Sequence, residues 1–208
     1  MLSRWQTELE GKAWNSLFWK NTQAPDEEGD ICFRPYEAIA YAIIAGGFYM
    51  GIIYEEKSRQ FHLYNDKISY IMTCLPNGQM GQLYYGKRIR HRESFGHLLE
   101  FAHRDMAPCV YEDDTTFSLE HIKQEYPGFG TGDMRYPAYG IRRENGSRVS
   151  SFVYKSHIIQ RGKPELPGLP AAYVEQDEEA WTLKLYLEDP VAGMELVLFY
   201  TIYEKMPV

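Results

Sequence analysis

The sequence predicts an all-β fold, a large antiparallel β-sandwich, and three observations carry that prediction. Aromatic residues are abundant, 17 Tyr and 10 Phe in 208 residues, and they sit in short runs beside β-branched residues, which suits a pleated surface better than a helix. Short segments of apolar and polar alternation recur at close intervals, separated by turn signals such as Asn77-Gly78 and Glu144-Asn145-Gly146-Ser147. The composition, 44% hydrophobic and 25% charged, is that of an ordinary soluble chain long enough to bury a sizeable core.

The elements follow in order. Strands are expected at Ile52 to Tyr54, Gln60 to Tyr64 and Ile68 to Leu75. Pro76-Asn77-Gly78 then turns the chain, so that Gln79 to Tyr85 pairs antiparallel with Ile68 to Leu75. Within the latter, Ile68, Tyr70 and Met72 share one face and Ser69, Ile71 and Thr73 the other, the mark of a strand buried on at least one side. Ser94 to Ala102 has helix-compatible spacing at Phe95, Leu98, Leu99 and Ala102 and is read as a short helix or an ordered arm.

The stretch around which the rest is arranged is Gln124 to Ala138. Two prolines and three glycines exclude a helix interior or a plain strand, and Glu125, Asp133 and Arg135 place charges among its aromatic and apolar side chains. It reads as an ordered loop crossing between sheets, its glycines permitting positive φ or close backbone approach, with Asp133 and Arg135 as a structural pair that locks it and a substrate role for the pair as the alternative. Beyond it the meander continues through Ala138 to Arg142, Ser151 to Ile159, Tyr173 to Glu175, Ala180 to Leu187 and Met194 to Tyr203, with a second proline-rich crossing over Gly162 to Pro170. The last two of these strands are so apolar that they need cover on both faces or a second sheet.

Residues 1–49 read as an addition in front of the β domain that spans 50–208. Trp5, Leu9, Ala13 and Leu17 have helical spacing, Gln23 to Asp30 is linker-like, and a second helix is expected over Tyr36 to Ala45, opened by Pro35 and closed by Gly46. Glycine codons at Gly46-Gly47 can spell a purine-rich ribosome-binding sequence just ahead of Met50. Met50 is therefore read as the natural start, with an N-terminal helical hairpin packing on the β domain as the alternative.

A net charge of -7 argues against nucleic acid, since the only dense basic run is Lys87 to Arg92, which reads as a solvated hairpin end. The helix expected over Tyr36 to Ala45 is too short to span a bilayer, and no membrane partner is expected. Cys32, Cys74 and Cys109 are odd in number with no CxxC spacing, so no disulfide framework, metal site or cofactor is expected, and a reducing cytoplasmic compartment fits best. The adjacent carboxylates Glu55-Glu56, Asp113-Asp114 and Glu178-Glu179 read as solvated surface rather than catalytic pairs. His62, between Phe61 and Leu63, reads as a strand residue facing solvent or hydrogen-bonded, and Tyr84, Tyr85 and Trp181 as sheet-face aromatics before sugar-stacking ones.

Taken together, Gln60-Phe61-His62-Leu63, Ile68-Ser69-Tyr70, Asn77-Gly78, Leu83-Tyr84-Tyr85-Gly86-Lys87, Phe117-Ser118-Leu119, Gln124-Glu125-Tyr126-Pro127, Gly132 to Ala138, Gly162-Lys163-Pro164, Gly168-Leu169-Pro170 and Tyr200 to Glu204 resemble the N-terminal domain of glycoside hydrolase family 36 α-galactosidases. Singly none of these is specific; their order is. The resemblance covers Met50 to Val208 and implies a β-supersandwich from a cytoplasmic bacterial enzyme acting on melibiose- and raffinose-type sugars, commonly a homo-tetramer. Members continue into a catalytic barrel of about 250 residues, whose two aspartates stand about 5–5.5 Å apart for retaining hydrolysis.

Neither aspartate transfers onto a position here, so no catalytic residue is assigned and residues 1–208 are expected to be inactive alone. The sandwich of family members also extends further, which implies an unpaired, aggregation-prone edge in this span. The resemblance further implies that the domain reaches a neighbouring subunit's active site and touches the sugar. His103, Arg104 and Asp105 occupy about the right place for that contact, with a plain surface loop as the alternative. The expected partner is thus an α-galactoside bound by the parent enzyme, and the rival reading is a stand-alone carbohydrate-binding or assembly module.

Overall fold

The computed structural model describes residues 50–100, 111–114, 116–168 and 174–206. Among these described residues seven strands form two antiparallel sheets. The first has the order β1 (Gly51–Glu55), β2 (Gln60–Tyr64), β3 (Ile68–Cys74), β4 (Met80–Lys87); the second has the order β5 (Val153–Arg161), β6 (Ala180–Asp189), β7 (Met194–Tyr203).

Each strand puts every second side chain on the face that meets the other sheet. From the first sheet come Ile52, Phe61, Leu63, Met72, Cys74 and Met80; from the second come Leu183, Leu185, Leu187 and Ile202, with Tyr54, Tyr70, Tyr154 and Tyr200 packed around them. Phe61, Met72, Leu183 and Leu185 are fully buried. At roughly 1.5–3 kcal/mol for each buried large apolar side chain, this interleaved layer is the main source of stability. The sandwich expected from alternation is present, and Met194–Tyr203 has the bounds read from the sequence.

Two bulges adjust the pleat. One shifts the β3–β4 register between Ile71 and Met72, and the other shifts β5–β6 between Tyr154 and Ser156. The second leaves Lys155 without a cross-strand partner, and its ammonium reaches Glu188 at 2.9 Å and Glu195 at 2.8 Å. The same bulge lets Tyr154 and His157 both point inward, Tyr154 Oη lying 2.7 Å from His157 Nδ1. His157 packs against the Tyr54 and Phe61 rings at 4.4 and 4.9 Å, and burial lowers its pKa.

Asn65 ties the two sheets at one end. Its Oδ1 accepts the amides of Lys67 and Ile68 and so closes the β2–β3 turn. Its Nδ2 donates to the carbonyls of Tyr203, at 2.8 Å, and Met206, at 2.6 Å, at the end of β7. Toward the other end, the Tyr154 amide donates to the Gly78 carbonyl at 2.7 Å.

The connection from β4 to β5 departs from the meander read in the sequence. The described part of Ser94 to Ala102, residues 94–100, forms a 3-10 turn at Gly96–Leu98, because its expected apolar stripe is needed as separate anchors: Phe95 is buried while Leu98 is exposed. Ala138 to Arg142 is not a strand. Pro137 lacks a donor, Ala138 bonds to the Pro127 carbonyl, and the Arg143 to Ser147 turn takes the backbone groups that a ladder would need. The segment Tyr173 to Glu175 is not a strand where described, at 174–175.

Instead, residues 123–125 of the connection run along the edge of the first sheet. Gln82 donates to the Lys123 carbonyl and Glu125 to the Met80 carbonyl, at 2.7 and 3.0 Å, giving β4 a short outer partner. Leu75, Phe117, Leu119 and Ile122 bury a second, smaller apolar cluster beneath it.

Candidate functional site

The crossing loop Gln124–Ala138 is held by two carboxylates of opposite character. Asp133 is buried, and Arg135 wraps back onto it: Nε donates to Oδ1 at 2.8 Å, an Nη to Oδ2 at 2.8 Å, and the Arg135 amide to Oδ1 at 3.0 Å. Gln124 Nε2 adds a bond to Oδ2, and the same Arg135 Nη donates to the carbonyls of Leu119 and Ile122. Burial alone would raise the Asp133 pKa, but the bonds from Arg135 outweigh it and hold this carboxyl below its usual range. Gly130 and Gly132 flank this knot at φ 94° and 93°, a region that L side chains rarely adopt.

Glu125 is the other carboxylate and, among the described residues, forms no ion pair. It accepts the Tyr70 hydroxyl at 2.7 Å on each oxygen and the Tyr200 hydroxyl at 2.7 Å on Oε2, while Gln82 Nε2 donates to the Tyr70 oxygen. Burial raises the Glu125 pKa and the tyrosine bonds only partly offset it. Burial and the neighbouring carboxylate push both tyrosines far above their ordinary values, so they remain donors. Tyr70 stands on β3 and Tyr200 on β7, so Glu125 pins the loop to both sheets. The two tyrosines also line a cleft of about 430 Å³ where the sheets part, with Tyr85 and Phe199 exposed at its rim.

Both carboxylates are thus engaged by donors from the chain itself, Glu125 by two tyrosine hydroxyls and Asp133 by Arg135 and Gln124. Of the residues read from the sequence, Glu125, Asp133 and Arg135 are brought to one loop, whereas His103, Arg104 and Asp105 lie outside the described residues. Asp114 binds Thr116 and Glu55 binds His91, while Glu178 and Glu179 lie at the exposed turn before β6. Trp181 lies under Arg161, and Tyr84 donates to the Lys87 carbonyl. Among the described residues no group of three or more His, Cys, Asp or Glu could hold a metal ion.

The sequence reading missed the tyrosine partners of Glu125, although Tyr70 and Tyr200 both fall on inward positions of their strands. In the basic run Lys87, Arg88, Arg90 and Arg92 are exposed, as read from the sequence, while Arg88 lies over the Tyr64 ring and donates to the Asn65 carbonyl, and His91 is half-buried against His62. The run contains Ile89 and His91 among its cations, and these are what dock it on the sheet.

Comparison with known proteins decides the family. The family model described as the glycosyl hydrolase family 36 N-terminal domain matches residues 78–208. The chain belongs to glycoside hydrolase family 36. Within this family it is 43% identical over 162 residues to α-galactosidase AgaA of Geobacillus stearothermophilus, covering 76% of this chain and 22% of AgaA. It is 35% identical over 160 residues to α-galactosidase Mel36A of Lactobacillus acidophilus, covering 76% of this chain and 21% of that protein.

Among solved family 36 structures, AgaB from G. stearothermophilus superposes with a TM-score of 0.67 at 43% identity, over 75% of this chain and 21% of AgaB. The α-galactosidase from Lactobacillus brevis gives 0.69 at 36% identity, over 73% and 20%. A variant of AgaA was solved in complex with raffinose and another with stachyose. The chain spans about a fifth of the length of the relatives it matches.

Proposed function

We propose that this chain is the non-catalytic N-terminal portion of a retaining, cytoplasmic α-galactosidase acting on terminal α-galactosides of the melibiose and raffinose type. The observation that supports this most is the match of the family 36 N-terminal domain to residues 78–208, with α-galactosidases at 35–43% identity. In this reading the sandwich serves as scaffold and as a surface for homo-oligomer assembly, and His103, Arg104 and Asp105 contact the aglycone side of a sugar held by a neighbouring subunit. Glycoside hydrolysis of this type needs two carboxyl groups flanking the bond, and these belong to the barrel of the parent enzyme.

Complementation tests the proposal. The chain is mixed with the remaining portion of a family 36 enzyme, and galactose release from melibiose is followed. Release by the mixture, with none from the chain alone, supports the scaffold reading. Galactose release by the chain alone overturns it, and melibiose binding by the isolated chain without any complementation favours a stand-alone binding module.

A further inference from the structure

We propose that Ser69, His62, His91 and Glu55 form a one-proton site, a hydrogen-bonded chain that takes up a single proton at its His91–Glu55 end and answers by reversing direction. The site lies on the face of the first sheet away from the main core. His62 Nε2 lies 2.9 Å from Ser69 Oγ, His62 Nδ1 lies 3.1 Å from His91 Nδ1, and His91 Nε2 lies 3.0 Å from Glu55 Oε1. The residues come from β3, β2, the segment after β4, and β1, so the pairing is made by the fold and not by sequence spacing.

With Glu55 ionised and both rings neutral, one hydrogen arrangement satisfies every contact. His91 Nε2–H must donate to the carboxylate, which leaves His91 Nδ1 bare. His62 Nδ1–H must then donate to it, which leaves His62 Nε2 to accept from the Ser69 hydroxyl. Ser69 Oγ already accepts the Ile89 amide at 3.0 Å, so its own hydrogen is available for that bond.

One added proton has one favourable place. On His91 it lies beside Glu55, and the Nδ1–H it creates forces His62 to bare its Nδ1 and carry its hydrogen on Nε2, now donating to Ser69. On His62 the charge would be buried, away from Glu55 and facing Arg88. Burial first, then His91 and Arg88, lower the His62 pKa to about 3. A second proton would set two N–H groups against each other across 3.1 Å.

Among the described residues the groups facing the pair are Glu55, Arg88 and Ser69, with the rings of Tyr64 and Phe95 packed on them. The segment so held is further fixed by the Phe95 amide on Gln60 Oε1 and by the Ser58 hydroxyl on the Glu93 carbonyl. The site therefore keeps this segment docked while one proton comes and goes.

Imidazole nitrogen NMR on the ¹⁵N-labelled full chain tests this, read from about pH 8 down to about pH 5, the range in which histidine ordinarily titrates. At the upper end His62 is expected to carry its hydrogen on Nδ1 and His91 on Nε2. On acidification His91 gains the charge while His62 stays neutral and moves its hydrogen to Nε2, and the Ile89 and Phe95 amides stay protected from exchange. A His62 that carries its hydrogen on Nε2 at the upper end, or that becomes the charged ring, overturns the proposal.

Discussion

Replacing Asn65 by Ala removes four hydrogen bonds from one fully buried side chain: two accepted within the β2–β3 turn and two donated to the carbonyls of Tyr203 and Met206. A net contribution of about 1 kcal/mol per bond gives a loss of about 4 kcal/mol if nothing relaxes. If water enters the vacated space and pairs with the orphaned groups, the loss falls to about 2 kcal/mol. Either figure is a large share of a stability of roughly 5–15 kcal/mol.

The assay is urea unfolding of the wild type and Asn65→Ala, followed by tryptophan fluorescence and far-UV circular dichroism, with coincident transitions as the check on two-state behaviour. At a slope of about 2 kcal/mol per molar urea, the midpoint should fall by about 1–2 M. Asn65→Asp keeps the acceptor for the turn but faces a carboxylate against two carbonyls, so it should be no more stable than the alanine variant. A midpoint within about 0.2 M of wild type for Asn65→Ala would show that the amide does not tie the sheets.

Four further outcomes are expected. Arg135→Lys keeps a charge but loses the two-pronged grip on Asp133 and the carbonyl contacts, and should cost about 2–3 kcal/mol in the same assay; because the folded Asp133 pKa is lowered, the contribution of this pair is present above the ordinary carboxylate range and is lost as pH falls through the folded value. Glu125 has the opposite sign: its folded pKa is raised, so its contribution is greatest in acid and declines as pH rises through that value, and Glu125→Gln should flatten this part of a stability–pH profile. His62 has its folded pKa lowered to about 3, so its contribution is complete above 6.5 and is lost between 6.5 and about 3; His62→Gln, measured by thermal unfolding, should remove that acid slope. Tyr136→Ser, at a side chain 96% exposed, should change stability by less than about 0.5 kcal/mol, measured by urea unfolding.

What the sequence made legible is what is local in the chain. The strands β1 to β7 announce themselves by alternation and by a hairpin dipeptide, and the Asp133 to Arg135 contact joins residues two apart. The partners of Glu125 lie 55 and 75 residues away, and no local pattern points to them. His91 was hidden for a different reason: in a run of cations, a half-buried imidazole looks like one more solvated charge until the strand that receives it is in place. Ala138 to Arg142 misled because alternation reports which side of a segment is covered, and a loop braced by its own turn can satisfy that pattern without a neighbouring strand.

The clasp between Asn65 and Met206 spans 141 residues. On the ribosome, the first sheet is made long before the strands that cover it, and its greasy inner side must wait bare until β6 and β7 emerge. Synthesis that stalls anywhere between the sheets therefore leaves a sticky half-sandwich for chaperones or proteases to deal with. The residues at the end of β7 that Asn65 clasps, rather than those of the first sheet, decide when this inner side is closed over.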